Sequence, residues 1–154
     1  MKKYIMPIFL ISIITIICSR CTPETGTMTC TMTTFPTEGI TLSSTYTATY
    51  EDNIVTNLQT EEQITSEEKE TLEIYKEKIE EIYQDYQNLE YYENKIKLKN
   101  NTLTSTTNIN YQKVNTEKLI EIDNGNASII KNGKVAIDDL KKMYQKNGCN
   151  CKKR

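Results

Sequence analysis

Two segments near the start of the chain alternate apolar and hydroxyl side chains with a period of two residues. In residues 27–35, Met28, Cys30 and Met32 share one side and threonines occupy the other. Residues 40–50 repeat the alternation, and residues 54–64 form a weaker third segment after a turn at 51–53. Alternation rich in Thr and Tyr is typical of an antiparallel sheet with one buried face. The pattern predicts three strands of such a sheet.

Beyond residue 64 the apolar period changes to three or four. The recurring apolar positions are Leu72, Tyr75, Ile79, Ile82, Tyr86 and Leu89. Thr65 and Glu68 have the spacing of a capping box. The spacing predicts one long amphipathic helix over residues 67–93, packed on the sheet. A coiled-coil interaction through the same stripe is the alternative, because the steps are also heptad-like.

The remaining segments predict further strands and shorter helices. Strands are expected at 96–99 and 103–111, and a short helix at 116–122. A final helix carries Ile137, Leu140 and Tyr144 and stops at Gly148, a residue suited to a helix C-terminus. The predicted fold class is therefore α+β, an antiparallel β-sheet packed on one long and one or two short helices.

The N-terminus has the layout of a bacterial export signal. Lys2 and Lys3 precede an apolar run of about 14 residues that ends at Cys18, with Cys21 close behind. A helix of that length covers about 21 Å, which is short of the ~30 Å hydrocarbon core. We expect residues 1–21 to be a signal peptide or membrane anchor, 22–26 a linker, and 27–154 one extracytoplasmic domain.

Cys21 or Cys18 is the candidate lipid anchor, although neither follows the small residue of a usual lipobox. An uncleaved short anchor and plain secretion remain alternatives. The predicted location is the extracytoplasmic face of the cell membrane, where disulfides are permitted. Cys30, Cys149 and Cys151 are the disulfide candidates, and pairing across the two ends is favoured because a Cys149–Cys151 ring would be strained. A zinc site of four thiolates is the alternative.

The amino-acid composition limits the kinds of catalysis that the chain could perform. The chain has no histidine and no tryptophan, which excludes Ser-His-Asp and Cys-His catalysis. No cofactor, catalytic or metal-site residues are predicted, and a domain of this size is expected to leave little volume for the water-excluding pocket that catalysis by carboxylates, tyrosine or lysine would need. The sequence therefore predicts a protein that is not an enzyme.

The charges are segregated along the chain. Residues 61–93 hold twelve acidic residues and three lysines, whereas residues 131–154 hold eight basic and two acidic residues. The two segments either attract each other or are solvated faces. A basic tail lying on anionic lipid or wall polymer is the sharper interpretation. Nucleic acid is not an expected partner of an exported chain with an acidic middle.

The order of these features resembles a known family. The basic N-terminus, apolar segment and Cys precede the run TYTATYEDNIV at 45–55, the acidic helix and then NYQKVN at 110–115. This is similar to the small YehR-like bacterial lipoproteins, a family without an assigned function. Asp52 replaces a family glycine, and Asn110 and Asn115 replace two acids. The resemblance implies an antiparallel sheet covered by helices, an anchor on the outer side of the membrane and no catalytic residues.

Together these features predict an exported, membrane-tethered envelope protein with a non-catalytic binding or structural role. Its expected partners are the membrane, through the N-terminal anchor, and an envelope protein or wall polymer. Two alternatives from other classes stay open. One is a wall-polymer hydrolase using paired carboxylates, and the other is a coiled-coil interaction protein.

Overall fold

A computed structural model describes residues 23–154. The predicted signal or anchor segment, with Cys18 and Cys21, lies outside the described residues. Within the described range, no helix is both long enough and apolar enough to cross a membrane.

The described chain runs through strands and helices in an order that places most strands first. The elements are β1 (Thr25–Thr37), β2 (Ile40–Glu51), β3 (Ile54–Ser66), α1 (Lys69–Gln84), β4 (Tyr92–Lys99), β5 (Thr102–Asn110), α2 (Thr116–Ile122), a 3-10 helix (Asn124–Ser128), β6 (Ile130–Lys131), β7 (Lys134–Val135), α3 (Ile137–Lys146) and β8 (Asn150–Lys153). The first two residues of β1 were expected in the linker.

In residues 23–154 the main sheet has six strands in the order β4-β5-β3-β2-β1-β8, all antiparallel. Tight turns join its first three strands because their residues adopt positive φ, +79° at Gly39, 47° at Asp52 and 66° at Asn53. Asn and Asp tolerate this conformation better than most non-glycine residues. The helices pack on this antiparallel sheet, and the predicted α+β fold class is confirmed.

Two apolar clusters lie between the sheet and the helices. The larger cluster includes Met28, Cys30 and Ala48 of the sheet, and Leu119 of α2 and Leu140 of α3 pack on them. The smaller cluster contains the buried residues Ile64, Leu72 and Leu103, with Ile40, Leu42, Tyr75, Ile79, Ile96 and Leu98 around them. Helix α1 covers the smaller cluster, and α2 and α3 cover the larger one.

The predicted long helix was wrong in its extent. Helix α1 ends at Gln84, and i→i+3 backbone bonds follow, from Tyr86 N to Tyr83 O at 3.1 Å and from Leu89 N to Tyr86 O at 3.0 Å. Tyr91 then adopts φ 64° before β4 begins. Successive turns place Tyr86 and Leu89 against the core at the same spacing as a helix would. The apolar periodicity therefore predicted a helix that was too long.

The predicted helix face and cap also need correction. Leu72 is buried, but Ile82 is 63% exposed and does not belong to the core stripe. The Ser66 hydroxyl, rather than Thr65, accepts a hydrogen bond from the Glu68 backbone N–H at 3.1 Å. Thr65 is still part of β3, where it pairs with Thr102 of β5. The strand therefore continues past the residue at which the helix cap was predicted.

The C-terminal segment closes the sheet. Gly148, with φ 89°, ends α3 as predicted, and β8 then pairs with β1. Two lysines of the basic segment pair with acids of α3 at its start, Lys131 Nζ with Asp139 Oδ2 at 2.7 Å and Lys153 with Asp138. These basic residues thus neutralise neighbouring α3 acids rather than the acidic α1.

Candidate binding sites on the two faces of the sheet

A band of polar side chains crosses the covered face of the sheet between the two apolar clusters. Strand register aligns Ser44, Glu62 and Ser105 in one row across β2, β3 and β5. The next row holds Tyr46, Thr60 and Thr107. Because inward-facing residues alternate along a strand, these rows lie on the same face as the apolar residues of both clusters. The covered face therefore has a polar centre.

Hydrogen bonds organise one side of this band. Asn94 of β4 donates through Nδ2 to Ser105 Oγ at 3.0 Å and to Thr107 Oγ1 at 2.9 Å. Tyr83, on the last turn of α1, lines the same cleft as Thr107. Buried polar groups cost little only when they are paired in this way. These bonds tie β4 to β5 through the polar band.

Glu62 lies at the centre of the band, half-buried beneath tyrosine rings. Burial raises the pKa of its carboxyl, and a hydrogen bond from the Tyr46 hydroxyl partly opposes that rise. Ion pairs within residues 23–154 involve other acids, and none includes Glu62. Its carboxylate therefore faces the interior without a cationic partner from the described chain.

A cleft of about 260 Å³ opens above Glu62, between the end of α1 and the segment from α2 to the 3-10 helix. We call it the tyrosine cleft. It is lined by Tyr46, Thr60, Glu62, Ile82, Tyr83, Tyr86, Tyr92, Thr107, Ile109, Leu119, Asp123 and Asn126. This cleft is open to solvent, whereas the expectation from the sequence concerned a water-excluding pocket.

Three rings of the tyrosine cleft lie close together. The ring centroids of Tyr86 and Tyr92 are stacked at 4.6 Å, and that of Tyr83 is 6.0 Å from Tyr86 and 6.3 Å from Tyr92. Burial is the main cause that raises the pKa of all three hydroxyls. These rings are neutral at physiological pH. A wider groove of about 540 Å³ continues past the same rings toward β4.

Within residues 23–154, the opposite face of the sheet carries no helix, and it is rich in uncharged polar residues. Thr47, Thr49, Asn57, Gln59, Asn108 and Asn110 line a groove of about 420 Å³ on this face, together with Leu58, Tyr91, Glu93 and Ile109. We call it the amide groove. Amide and hydroxyl side chains both donate and accept hydrogen bonds. The amide groove therefore offers paired donors and acceptors with little charge.

Of the cysteines in the described chain, Cys30 and Cys151 form a disulfide between β1 and the edge strand β8, 121 residues apart. Cys149 has a free thiol and is buried. The same residues hold no cluster of three or more His, Cys, Asp or Glu positioned for a metal. Two of the four thiolates needed for the zinc alternative are thus joined to each other. The disulfide predicted from cysteine usage is therefore present.

Sequence reasoning did not identify Glu62, although a signal was present. Glu62 is two residues from Ile64 and four from Leu58, so period-two alternation places it on their buried face. A carboxylate in phase with core residues is a sequence-level marker of an inward charge. The tyrosines of the cleft come from α1, the following turn and β4, so no local pattern joins them.

Fold and sites define a class of protein, a small α+β domain with a tyrosine cleft on one face and an amide groove on the other. The chain belongs to the family described as "Protein of unknown function (DUF1307)", whose model matches residues 28–150. This confirms the family resemblance expected from the sequence and carries no information about lipidation. A comparison with curated proteins gave no match.

Two solved structures share the fold. The NMR structure of the E. coli YehR protein has a TM-score of 0.57 and 16% identity, covering 84% of this chain and 91% of that one. The NMR structure of a protein from Streptococcus pneumoniae TIGR4 has a TM-score of 0.50 and 14% identity, covering 99% and 94%. At these identities the likeness concerns the fold alone.

Proposed function

We propose that this protein is exported and tethered to the outer face of the cell membrane, where its domain acts as a non-catalytic binding module. The basic residues, apolar run and cysteines of residues 1–21 support export. The Cys30–Cys151 disulfide supports an oxidising compartment. β1 begins four residues after Cys21, so a lipid on that cysteine would hold the strand within about 14 Å of the membrane surface.

The C-terminus lies at the same end of the sheet as that tether. Thr27 N donates to Arg154 O at 3.0 Å, and Arg154 N donates to Thr27 O at 2.8 Å. Lys152 and Arg154 are exposed there. Basic residues at a membrane surface each contribute about 1 kcal/mol on anionic lipid. The arrangement supports a tether in which the first strand and the basic tail face the membrane together.

The amide groove is the single observation that carries the binding role. Gln59 and Asn108 are paired across β3 and β5, and neither is held in a side-chain hydrogen bond within the described chain. Tyr91, 49% exposed, adds an aromatic ring at the edge of the groove, with Lys113 Nζ 5.4 Å from its centroid. Amides, hydroxyls and one ring suit a neutral glycan, whose hydroxyl and acetamido groups need donors and acceptors.

The tether is tested on protein isolated from the cell envelope. We expect membrane fractionation and a mature N-terminus at Cys21 or Cys18 whose mass includes a lipid. Cys21→Ser and Cys18→Ser, made separately, identify the modified residue by loss of the lipid mass. An intact Met1 in the soluble fraction would contradict export.

The glycan role is tested by NMR titration of the full chain, held in a non-ionic polyoxyethylene detergent, with chitotetraose as the probe. We expect saturable shifts of the side-chain amide signals of Gln59 and Asn108. The Gln59→Ala/Asn108→Ala variant should lose them. Gln63→Ala, on the same face outside the groove, is the matched control and should bind like the parent. Equal binding by the double variant would refute the site.

One observation favours a second function, the hydrolase with paired carboxylates. Glu62 and Asp123 line the same cleft, and a raised pKa in Glu62 suits a general acid. The position of Asp123 argues against the hydrolase. Its Oδ1 accepts a hydrogen bond from the Gly125 backbone N–H at 2.8 Å, so this carboxylate already caps the 3-10 helix. Wall-polymer cleavage by the parent that disappears in Glu62→Gln would establish the hydrolase and replace the non-catalytic role.

A further inference from the structure

The tyrosine cleft joins an unpaired carboxylate to a group of aromatic rings, and the amide groove on the other face uses neither. We propose that this cleft binds a small organic cation carrying a quaternary ammonium group, with Glu62 as counter-charge and the rings of Tyr83, Tyr86 and Tyr92 as the aromatic wall of the cleft. The proposal concerns the covered face of the sheet and stands independently of glycan binding on the open face.

The carboxylate supplies the first argument. A half-buried carboxylate without a cationic partner is destabilising, because burial removes hydration that the Tyr46 hydroxyl replaces only in part. Lys76, Lys95, Lys131 and Lys153 form the ion pairs of the described chain, and all four are committed to acids other than Glu62. A cation in the cleft would supply the missing charge.

The rings supply the second argument. Cation–π attraction acts when the cation lies within about 6 Å of a ring centroid, and the three rings line the same cleft as Glu62. A quaternary ammonium has no N–H to donate, so it needs charge and polarisable surface rather than acceptors. Tyr86 and Tyr92 stack at 4.6 Å and cover one face of each other, so each of these two rings can meet a cation only through its outer face.

The apolar residues at the rim of the cleft supply the third argument. Ile82 lines the cleft, is 63% exposed and belongs to neither apolar cluster. Leu119, from α2, lines the same cleft. Apolar side chains beside rings and a carboxylate suit methyl groups on a charged nitrogen. The volume of about 260 Å³ holds a small cation while leaving the cleft open to solvent.

The probe is tetramethylammonium chloride, titrated into the full chain in the same polyoxyethylene detergent and followed by tyrosine ring NMR signals. Sodium chloride at equal ionic strength is the reference, and tert-butanol is the neutral molecule of similar shape. We expect saturable shifts of the Tyr83, Tyr86 and Tyr92 rings with tetramethylammonium alone. Saturation by tert-butanol at the same concentration would overturn the charge-based recognition.

Two variants and one matched control complete the test. Glu62→Gln and Tyr86→Leu should each weaken tetramethylammonium binding by about tenfold, as expected for loss of a counter-charge or a ring. Glu61→Gln changes the neighbouring acid, which faces the open side, and should bind like the parent. A melting temperature of Glu62→Gln at or above that of the parent shows that folding is intact. Unchanged affinity in Glu62→Gln, or no saturable binding to the parent, would refute the proposal.

Discussion

The two faces of the main sheet differ in what covers them and in the side chains they carry. On the covered face, two apolar clusters flank a polar band that holds Glu62. The open face carries threonines and amides, and no helix of the described part of the chain lies over it. Because successive residues of a strand point to opposite faces, one strand contributes to both environments. Neighbouring residues can therefore have opposite energetic roles, and paired substitutions test this directly.

The largest expected effect comes from Leu58 and Gln59, which are adjacent in β3. Leu58 is buried, and Leu58→Asp should unfold the domain because an unpaired carboxylate would enter the larger cluster. Gln59→Asp, on the open face, should change the free energy of unfolding by about 0.5 kcal/mol or less. Urea denaturation of both variants measures the difference. Equal stabilities would break the assignment of the two faces.

The disulfide of the covered face should have the next largest effect. Cys151→Ser frees the edge strand β8, and the entropic model for a loop of this length predicts a loss of about 4 kcal/mol. Cys149→Ser is the matched control, since it removes a thiol outside the disulfide. Non-reducing peptide mapping should join the Cys30 and Cys151 peptides. A Cys30–Cys149 link, or free thiols at all three positions in envelope-derived protein, would contradict the arrangement.

Helix α1 also has a buried face and an exposed face, and one substitution on each compares them. Leu72 is 1% exposed, and Leu72→Ala should cost about 2–5 kcal/mol through a cavity in the smaller cluster. Ile82→Ala removes a residue that lines the cleft without joining a cluster, and it should cost about 0.5 kcal/mol or less. Thermal unfolding distinguishes the two. A similar loss in both would restore the helix face first expected from the periodicity.

The smallest effect depends on pH and concerns Glu62. Its pKa is raised in the folded state, so the folded state holds more protons than the unfolded state, and stability falls as pH rises above about 4.3. Glu62→Gln removes this loss and should melt above the parent at pH 7, with the gain vanishing below about pH 4. The other titratable residues that line the cleft, which include Tyr46, Tyr83 and Asp123, are not substituted in this variant. A gain that is constant with pH would contradict the linkage.

The fold class followed from local patterns. Alternation at 27–35 and 40–50 predicted β1 and β2, and the final helix and its stop at Gly148 were also predicted correctly. These predictions succeed because strand and helix periods are set by backbone geometry within a few residues. The long helix failed because turns after Gln84 reproduce helical spacing while packing on the same core.

The sites required information that no local pattern contains. Whether Ile82 is core or rim depends on where α1 ends relative to the sheet, and the neighbours of Glu62 come from strands and helices far apart in sequence. The N-terminal signal layout, the absence of histidine and the inward phase of Glu62 were determined by the sequence itself. The tyrosine cleft and the amide groove were decided by the tertiary structure, because they form only when β2, β3, β4 and β5 pair in register and place distant side chains side by side.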